Sequence, residues 1–184
     1  MLRKHSLVIL SLQISFFIFT LSFFIICSNT HQKWIHVQTP VGEIIGIQTG
    51  QELGLTVNRF LGIPFAKPPI GNLRFASPQP IERFQEPFYA HKWSPKCVQN
   101  ENSFINVRWK HFDLNQMQSE DCLHLNIWTP STEKNVSLPV LVWIHGGALF
   151  SGTSAFKLYE STWLSGKLNA VVVTLNYRFV FLFW

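Results

Sequence analysis

Val140-Leu141-Val142-Trp143-Ile144-His145-Gly146-Gly147-Ala148 begins as an uninterrupted apolar run that enters after Pro139 and leaves through a histidine and two glycines. Five consecutive apolar residues of this kind read as a strand, and a strand without polar alternation is one covered on both faces. A second such run, Val171-Val172-Val173-Thr174-Leu175, follows. Between them Phe156, Leu158, Tyr159, Trp163 and Leu164 recur at roughly helical spacing, which predicts a helix from Ala155 to Lys167. Strand, helix, strand is a βαβ crossover joining two parallel strands. The exit His145-Gly146-Gly147-Ala148 is the chemically suggestive part. Two successive glycines let the backbone bend so that consecutive N–H groups face a common space, as an oxyanion site requires. A tight strand exit in which glycine only accommodates a positive φ is the alternative reading of the same four residues.

Upstream, Leu123, Leu125 and Ile127 alternate with His124, Asn126 and Trp128, the period of a strand, which Thr129-Pro130-Ser131 stops. Residues 98–121 show little periodicity; Phe104, Trp109 and Phe112 stand in a polar background that suits a compact closed loop. The stretch from Phe60 to Pro69 mixes apolar side chains with three prolines, which removes ladder donors and imposes an extended, irregular path. From His36 to Gln48, short β segments broken at Pro40, Gly42 and Gly46 predict a hairpin with Val37, Ile44 and Ile47 pointing inward.

The 184 residues are 47% hydrophobic and carry 15 basic against 10 acidic side chains, which excludes a disordered or low-complexity chain. Arg3 and Lys4 contribute two of the five net positive charges, and no tract of like charges occurs, so a nucleic-acid partner is excluded. After these two cations, residues 6–27 are uncharged and rich in Leu, Ile and Phe, ending in the small residues Cys27 and Ser28. This is a secretory leader over residues 1–28, or, if retained, an anchor that brings a membrane into play. Either way residues 29–184 face an oxidising lumen. Removal of Cys27 with the leader leaves Cys97 and Cys122 as the pair to be bonded, closing a loop that stabilises the fold by roughly 3–4 kcal/mol. Asn135-Val136-Ser137 is an N-glycosylation triplet in a polar turn.

Several blocks recur together: Phe60 to Pro69; Leu73-Arg74-Phe75 with Pro78-Gln79-Pro80; Ser119-Glu120-Asp121-Cys122-Leu123 with Leu125-Asn126; Val142 to Gly147; and Asn176-Tyr177-Arg178. In order and spacing they resemble the type B carboxylesterase and cholinesterase family. That resemblance implies an α/β fold: the N-terminal part of an α/β-hydrolase, with a small β-hairpin and then the first strands of a mostly parallel central sheet. It implies a secreted serine esterase acting on a small-molecule ester, with no cofactor and no metal. Gly146, Gly147 and Ala148 take the place of the oxyanion turn, with the N–H groups of Gly147 and Ala148 as donors and Ala148 standing where many relatives have a third glycine. The Cys97–Cys122 bond closes a loop beside the active-site gorge, and Arg74 and Glu120 match a salt bridge whose loss from a buried site costs several kcal/mol. His145 precedes the glycines and does not match the family's base. Trp109 and Phe112 lie near the place of a choline-stacking tryptophan but not at its spacing, so both are read as packing residues.

Acyl transfer on this fold needs Gly-x-Ser-x-Gly, then an acid, then a histidine. None of these is met: the nearest approach, Gly152-Thr153-Ser154-Ala155-Phe156, lacks the second glycine and follows the oxyanion turn directly. The chain therefore reads as an incomplete carboxylesterase domain over residues 29–184. Residues 180–184 depart from the family, and the open flank of the strand ending at His145 lacks its neighbour. A fragment of this kind is expected to turn over no ester alone. A non-catalytic cholinesterase-like adhesion protein is the alternative of a different class.

Overall fold

The computed structural model describes residues 32–100, 110–113 and 117–179. The leader, Cys27, Trp109 and residues 180–184 lie outside them. A compact unit begins at Trp34. Its strands are β1 (Trp34–Thr39), β2 (Gly42–Thr49), β3 (Val57–Pro64), β4 (Phe88–Tyr89), β5 (Lys96–Cys97), β6 (Gln118–Ser119), β7 (His124–Thr129), β8 (Val140–Ile144) and β9 (Val171–Leu175), with one α-helix, α1 (Thr162–Leu168).

The main sheet runs in the order β1-β2-β3-β7-β9-β8, with β4 beside β2. β1 and β2 form the expected hairpin, joined by Pro40 and Val41 alone. Among the described residues the sheet is mostly antiparallel, not mostly parallel. β1–β2, β2–β3, β3–β7 and β7–β9 are antiparallel, while β8–β9 and the short β2–β4 pair are parallel. In the β1–β2 hairpin a two-residue loop returns the chain antiparallel, whereas the parallel β8–β9 pair is joined by the helical crossover.

That crossover is shorter in its helix than the periodicity predicts. Residues Lys157–Tyr159 form one 3-10 turn, and the α-helix begins only at Thr162. Glu160 marks the break: its carboxylate accepts from the Thr162 N–H at 3.1 Å, the Thr162 hydroxyl at 2.6 Å and the Trp128 indole N–H at 2.9 Å. An acceptor in this position satisfies an otherwise orphaned N–H and complements the helix dipole. Asn169, at φ 49°, ends the helix in the left-handed region.

β8 departs from the reading that it is covered on both faces. It is the edge strand, and its five apolar residues are 42–64% exposed. On β7, Asn126 and Trp128, at 1% and 0% exposure, are among the most deeply buried side chains. One face of the sheet packs Ile44, Phe60, Ile63 and Ala90 together with Leu125 and Ile127. Another cluster gathers Val57, Leu61 and Trp128, and a third joins Ala66, Leu123 and Phe179 to the disulfide. β3 is extended as expected and bulges between Phe60 and Ile63. There Gly62 adopts φ 68°, and a Cβ would stand 2.6 Å from the Lys92 carbonyl.

Candidate active site

β8 delivers the chain into the turn 145–151. His145 is buried at 2% exposure, with its ring stacked on Tyr177 (centroids 4.5 Å apart, planes 18° apart) and edge-on to Phe179. The Tyr177 hydroxyl donates to the His145 carbonyl at 2.7 Å. His145 Nδ1 lies 2.8 Å from the Gly146 carbonyl oxygen, which accepts its proton. The Gly147 carbonyl accepts from the N–H groups of Phe150 (3.0 Å) and Ser151 (3.2 Å). Among the described residues, the N–H groups of Gly146, Gly147 and Ala148 have no acceptor.

The two glycines are not equivalent. Gly147 has φ 136°, and a Cβ on it would collide with the Ser151 carbonyl; a Cβ on Gly146 would meet nothing within 4 Å. Ala148 and Leu149 follow at φ 53° and 59°, a left-handed pair of non-glycine residues costing on the order of 1 kcal/mol each or more. Such strain persists only where the surroundings over-determine the backbone.

Those surroundings form a buried polar scaffold. Gly152 is clasped by Gln99, whose Nε2 donates to its carbonyl and whose Oε1 accepts its N–H, both at 2.8 Å. Gln99 lies two residues beyond Cys97, which is bonded to Cys122 with Cα atoms 5.0 Å apart. The Ser154 N–H donates to Asn176 Oδ1 at 2.8 Å, and Asn176 Nδ2 donates to the Pro95 carbonyl at 3.0 Å. Asn126 accepts from the Gly62 N–H at 2.9 Å and donates to the hydroxyls of Ser154 (3.2 Å) and Thr174 (2.9 Å). The disulfide loop, the β3 bulge and the ends of β7 and β9 therefore all converge on the segment that leaves the turn. Lys96 and Asp113 form a further buried ion pair at 2.8 Å, at 5% and 3% side-chain exposure.

Burial pushes the His145 imidazole below its ordinary pKa, opposed by its bond to Gly146. Burial likewise lowers His124, against the opposing pull of Asp121. Burial raises the Tyr177 phenol, keeping it a neutral donor. His145 Nε2 is buried without a partner among the described residues, so the ring is held neutral with its proton on Nδ1.

Arg74 grips Glu120 through two contacts, Nε–Oε1 at 2.6 Å and Nη2–Oε2 at 2.7 Å. The Arg74 side chain is 49% exposed, so this is not the buried pair the sequence suggested, and solvent screening leaves it a modest contribution. Asn135 sits exposed in a turn. Phe112 is half-buried, and Trp109 lies outside the described residues. Ser154, at 1% exposure and bonded to Asn126, is a scaffold residue. No three His, Cys, Asp or Glu side chains among the described residues are grouped to hold a metal ion, and no helix among them is long and apolar enough to cross a membrane. Gln99 and Gly152 went unrecognised in the sequence, and Asn126, Asn176 and Tyr177 stood in the matching blocks without an assigned role. Their partners are 22 to 81 residues away, beyond any local pattern.

Carboxylesterase 1F of Mus musculus is 42% identical over 171 residues, covering 88% of this chain and 29% of that protein. Acetylcholinesterase 1 of Caenorhabditis briggsae is 39% identical over 171 residues, covering 87% of this chain and 26% of that protein. Cholinesterase of Mus musculus is 37% identical over 153 residues, covering 82% of this chain and 25% of that protein. The chain thus spans about a quarter of the length of these curated relatives. The carboxylesterase family's sequence profile matches residues 33–184, from just before the first strand through β8, its glycine turn and β9, and the chain belongs to that family.

Proposed function

We propose that this chain is the N-terminal part of a secreted carboxylic ester hydrolase, contributing the oxyanion turn while the nucleophile, acid and base lie in sequence that follows. The observation that carries the reading is the run of three N–H groups, Gly146, Gly147 and Ala148, without acceptors among the described residues at the end of β8. Free backbone donors on a rigid turn stabilise charge that develops on an attacked carbonyl oxygen, and they need no reorganisation when it appears. Ala148 supplies its N–H as well as glycine would. In a complete site, loss of one such donor lowers kcat by about 10²–10³.

The 184 residues contain no Gly-x-Ser-x-Gly, and Ser154, the nearest serine in context, is buried in the polar scaffold. By itself the chain does not turn an ester over. The test uses the 184-residue chain with p-nitrophenyl butyrate and an organophosphate. Neither hydrolysis above the buffer rate nor phosphorylation of any serine is expected. Turnover abolished by organophosphate, with the label on a serine of this chain, would overturn the assignment. Sequencing the transcript beyond the codon for Trp184 supplies the second arm: a serine elbow downstream supports the hydrolase, and another residue in its place supports an adhesion protein.

A further inference from the structure

We propose that the side chains of Tyr177 and His145 are positioning residues of this turn: each holds one peptide carbonyl and thereby aims the N–H on the other side of the same peptide. The inference rests on the reading of the turn as an oxyanion site and goes beyond it by naming what sets the donors' direction.

In a planar trans peptide the C=O and N–H point in opposite directions. No cis bond occurs among the described residues. Fixing the carbonyl of residue i therefore fixes the N–H of residue i + 1. Three consecutive peptides are held in this way, each by a different donor. The His145 carbonyl is held by the Tyr177 hydroxyl at 2.7 Å, which orients the Gly146 N–H. The Gly146 carbonyl is held by His145 Nδ1 at 2.8 Å, which orients the Gly147 N–H. The Gly147 carbonyl is held by the Phe150 and Ser151 N–H groups, which orients the Ala148 N–H. All three carbonyls are occupied, and among the described residues all three opposing N–H groups have no acceptor. Glycines adjust their φ and ψ at little steric cost, so without such holds the peptides flanking Gly146 and Gly147 would be free to flip.

The clamp is itself built into the core. His145 is fixed by its stack on Tyr177 and its edge contact with Phe179, and both of these follow directly on β9. Gly152 leaves room for the hold: a Cβ there would collide with His145 Nδ1 and stand 2.7 Å from the Gly146 oxygen. Position 152 thus excludes side chains that would wedge the His145–Gly146 bond apart. The histidine acts as a neutral Nδ1–H donor to the backbone and not as a base toward substrate.

The experiment measures N–H residual dipolar couplings of Gly146, Gly147 and Ala148 in the isotope-labelled full chain, held monomeric in dodecyl maltoside, with and without inorganic phosphate as a tetrahedral anion probe. Tyr177→Phe keeps the stacked ring and removes only the hydroxyl. His145→Asn keeps a donor near the Nδ1 position, while His145→Leu removes it. Tyr177→Phe should change the Gly146 coupling, His145→Leu the Gly147 coupling, and His145→Asn should restore the latter. The Asn126 side-chain amide signals should stay in place throughout as the mark of an intact fold, so a His145→Leu variant that fails to fold leaves Tyr177→Phe to decide. Unchanged couplings in a folded Tyr177→Phe chain would overturn the proposal, whatever phosphate does. Changed couplings together with a phosphate-induced shift of the three wild-type amides, at least threefold smaller in the variants, support both the clamp and the oxyanion reading. Changed couplings with no phosphate shift in the wild type support the clamp and count against the oxyanion reading alone.

Discussion

At the scale of single residues, the two adjacent glycines of the turn differ in what they require. Gly147 occupies φ 136° with the Ser151 carbonyl where a Cβ would go, whereas Gly146 faces open space. Gly147→Ala should therefore destabilise the chain by about 1–3 kcal/mol or force the turn to rearrange, because both the backbone conformation and the clash oppose it. Gly146→Ala should change stability by less than about 0.5 kcal/mol. Thermal unfolding of the two variants checks this, and equal losses would show that the turn is not the one described. His145 and His124 carry a second consequence. Both have a folded pKa below the ordinary value of 6.5, so below that pH the unfolded chain binds more protons than the folded one. Stability is then complete above 6.5 and declines as pH falls through and below it. The unfolding midpoint should drop between about pH 7 and about pH 5, with a shallower drop in His145→Asn. A midpoint flat across that range would contradict the burial of both rings.

At the scale of elements, the residue with most at stake is Asn126 on β7, because it ties the Gly62 bulge of β3 to Ser154 and to Thr174 of β9. Asn126→Leu leaves the Gly62 N–H and two hydroxyls without their partner in a buried site and should cost at least about 2 kcal/mol. Asn126→Asp retains the acceptor but buries a charge and should cost more. Urea unfolding of both variants measures the difference, and a neutral Asn126→Leu would show that the network is dispensable. This residue also shows where sequence reading ends. β8, the crossover, β9 and the hairpin were legible because apolar runs and turn residues are local signals. The two glycines were legible because they end a strand. The polar scaffold was not, since a buried Asn looks like any other in a period-2 pattern and its partners are contributed by distant segments. Nor was the exposure of β8: hydrophobicity says what a strand would prefer to be covered by, and only the sheet order says what actually lies beside it.

At the scale of the whole molecule, that sheet order sets the behaviour of the chain in solution. β8 pairs with β9 on one side, and among the described residues no strand pairs with its other side. Val140, Leu141, Val142, Trp143 and Ile144 are exposed by 42–64%, with no charged residue among them. Natural sheets protect an edge with lysine, proline, a bulge or a covering element, and β8 has none of the first three within its five residues. A short, uncharged, apolar edge with free backbone donors and acceptors is a template for another strand. The 184-residue chain should accordingly form large assemblies as concentration rises and should be retained in the secretory pathway when expressed in cells. Replacing Val142 and Ile144 with lysine together puts two charges on the edge and leaves the buried partners of β9 in place. The double variant should shift to monomer in size-exclusion chromatography with light scattering and keep the wild-type circular dichroism. Exposed substitutions of this kind ordinarily move stability by less than about 0.5 kcal/mol, so the shift measures association and not unfolding. If the unsubstituted chain is itself secreted as a protease-resistant monomer, β8 is covered, and the exposure of its five residues is not a property of the protein in solution.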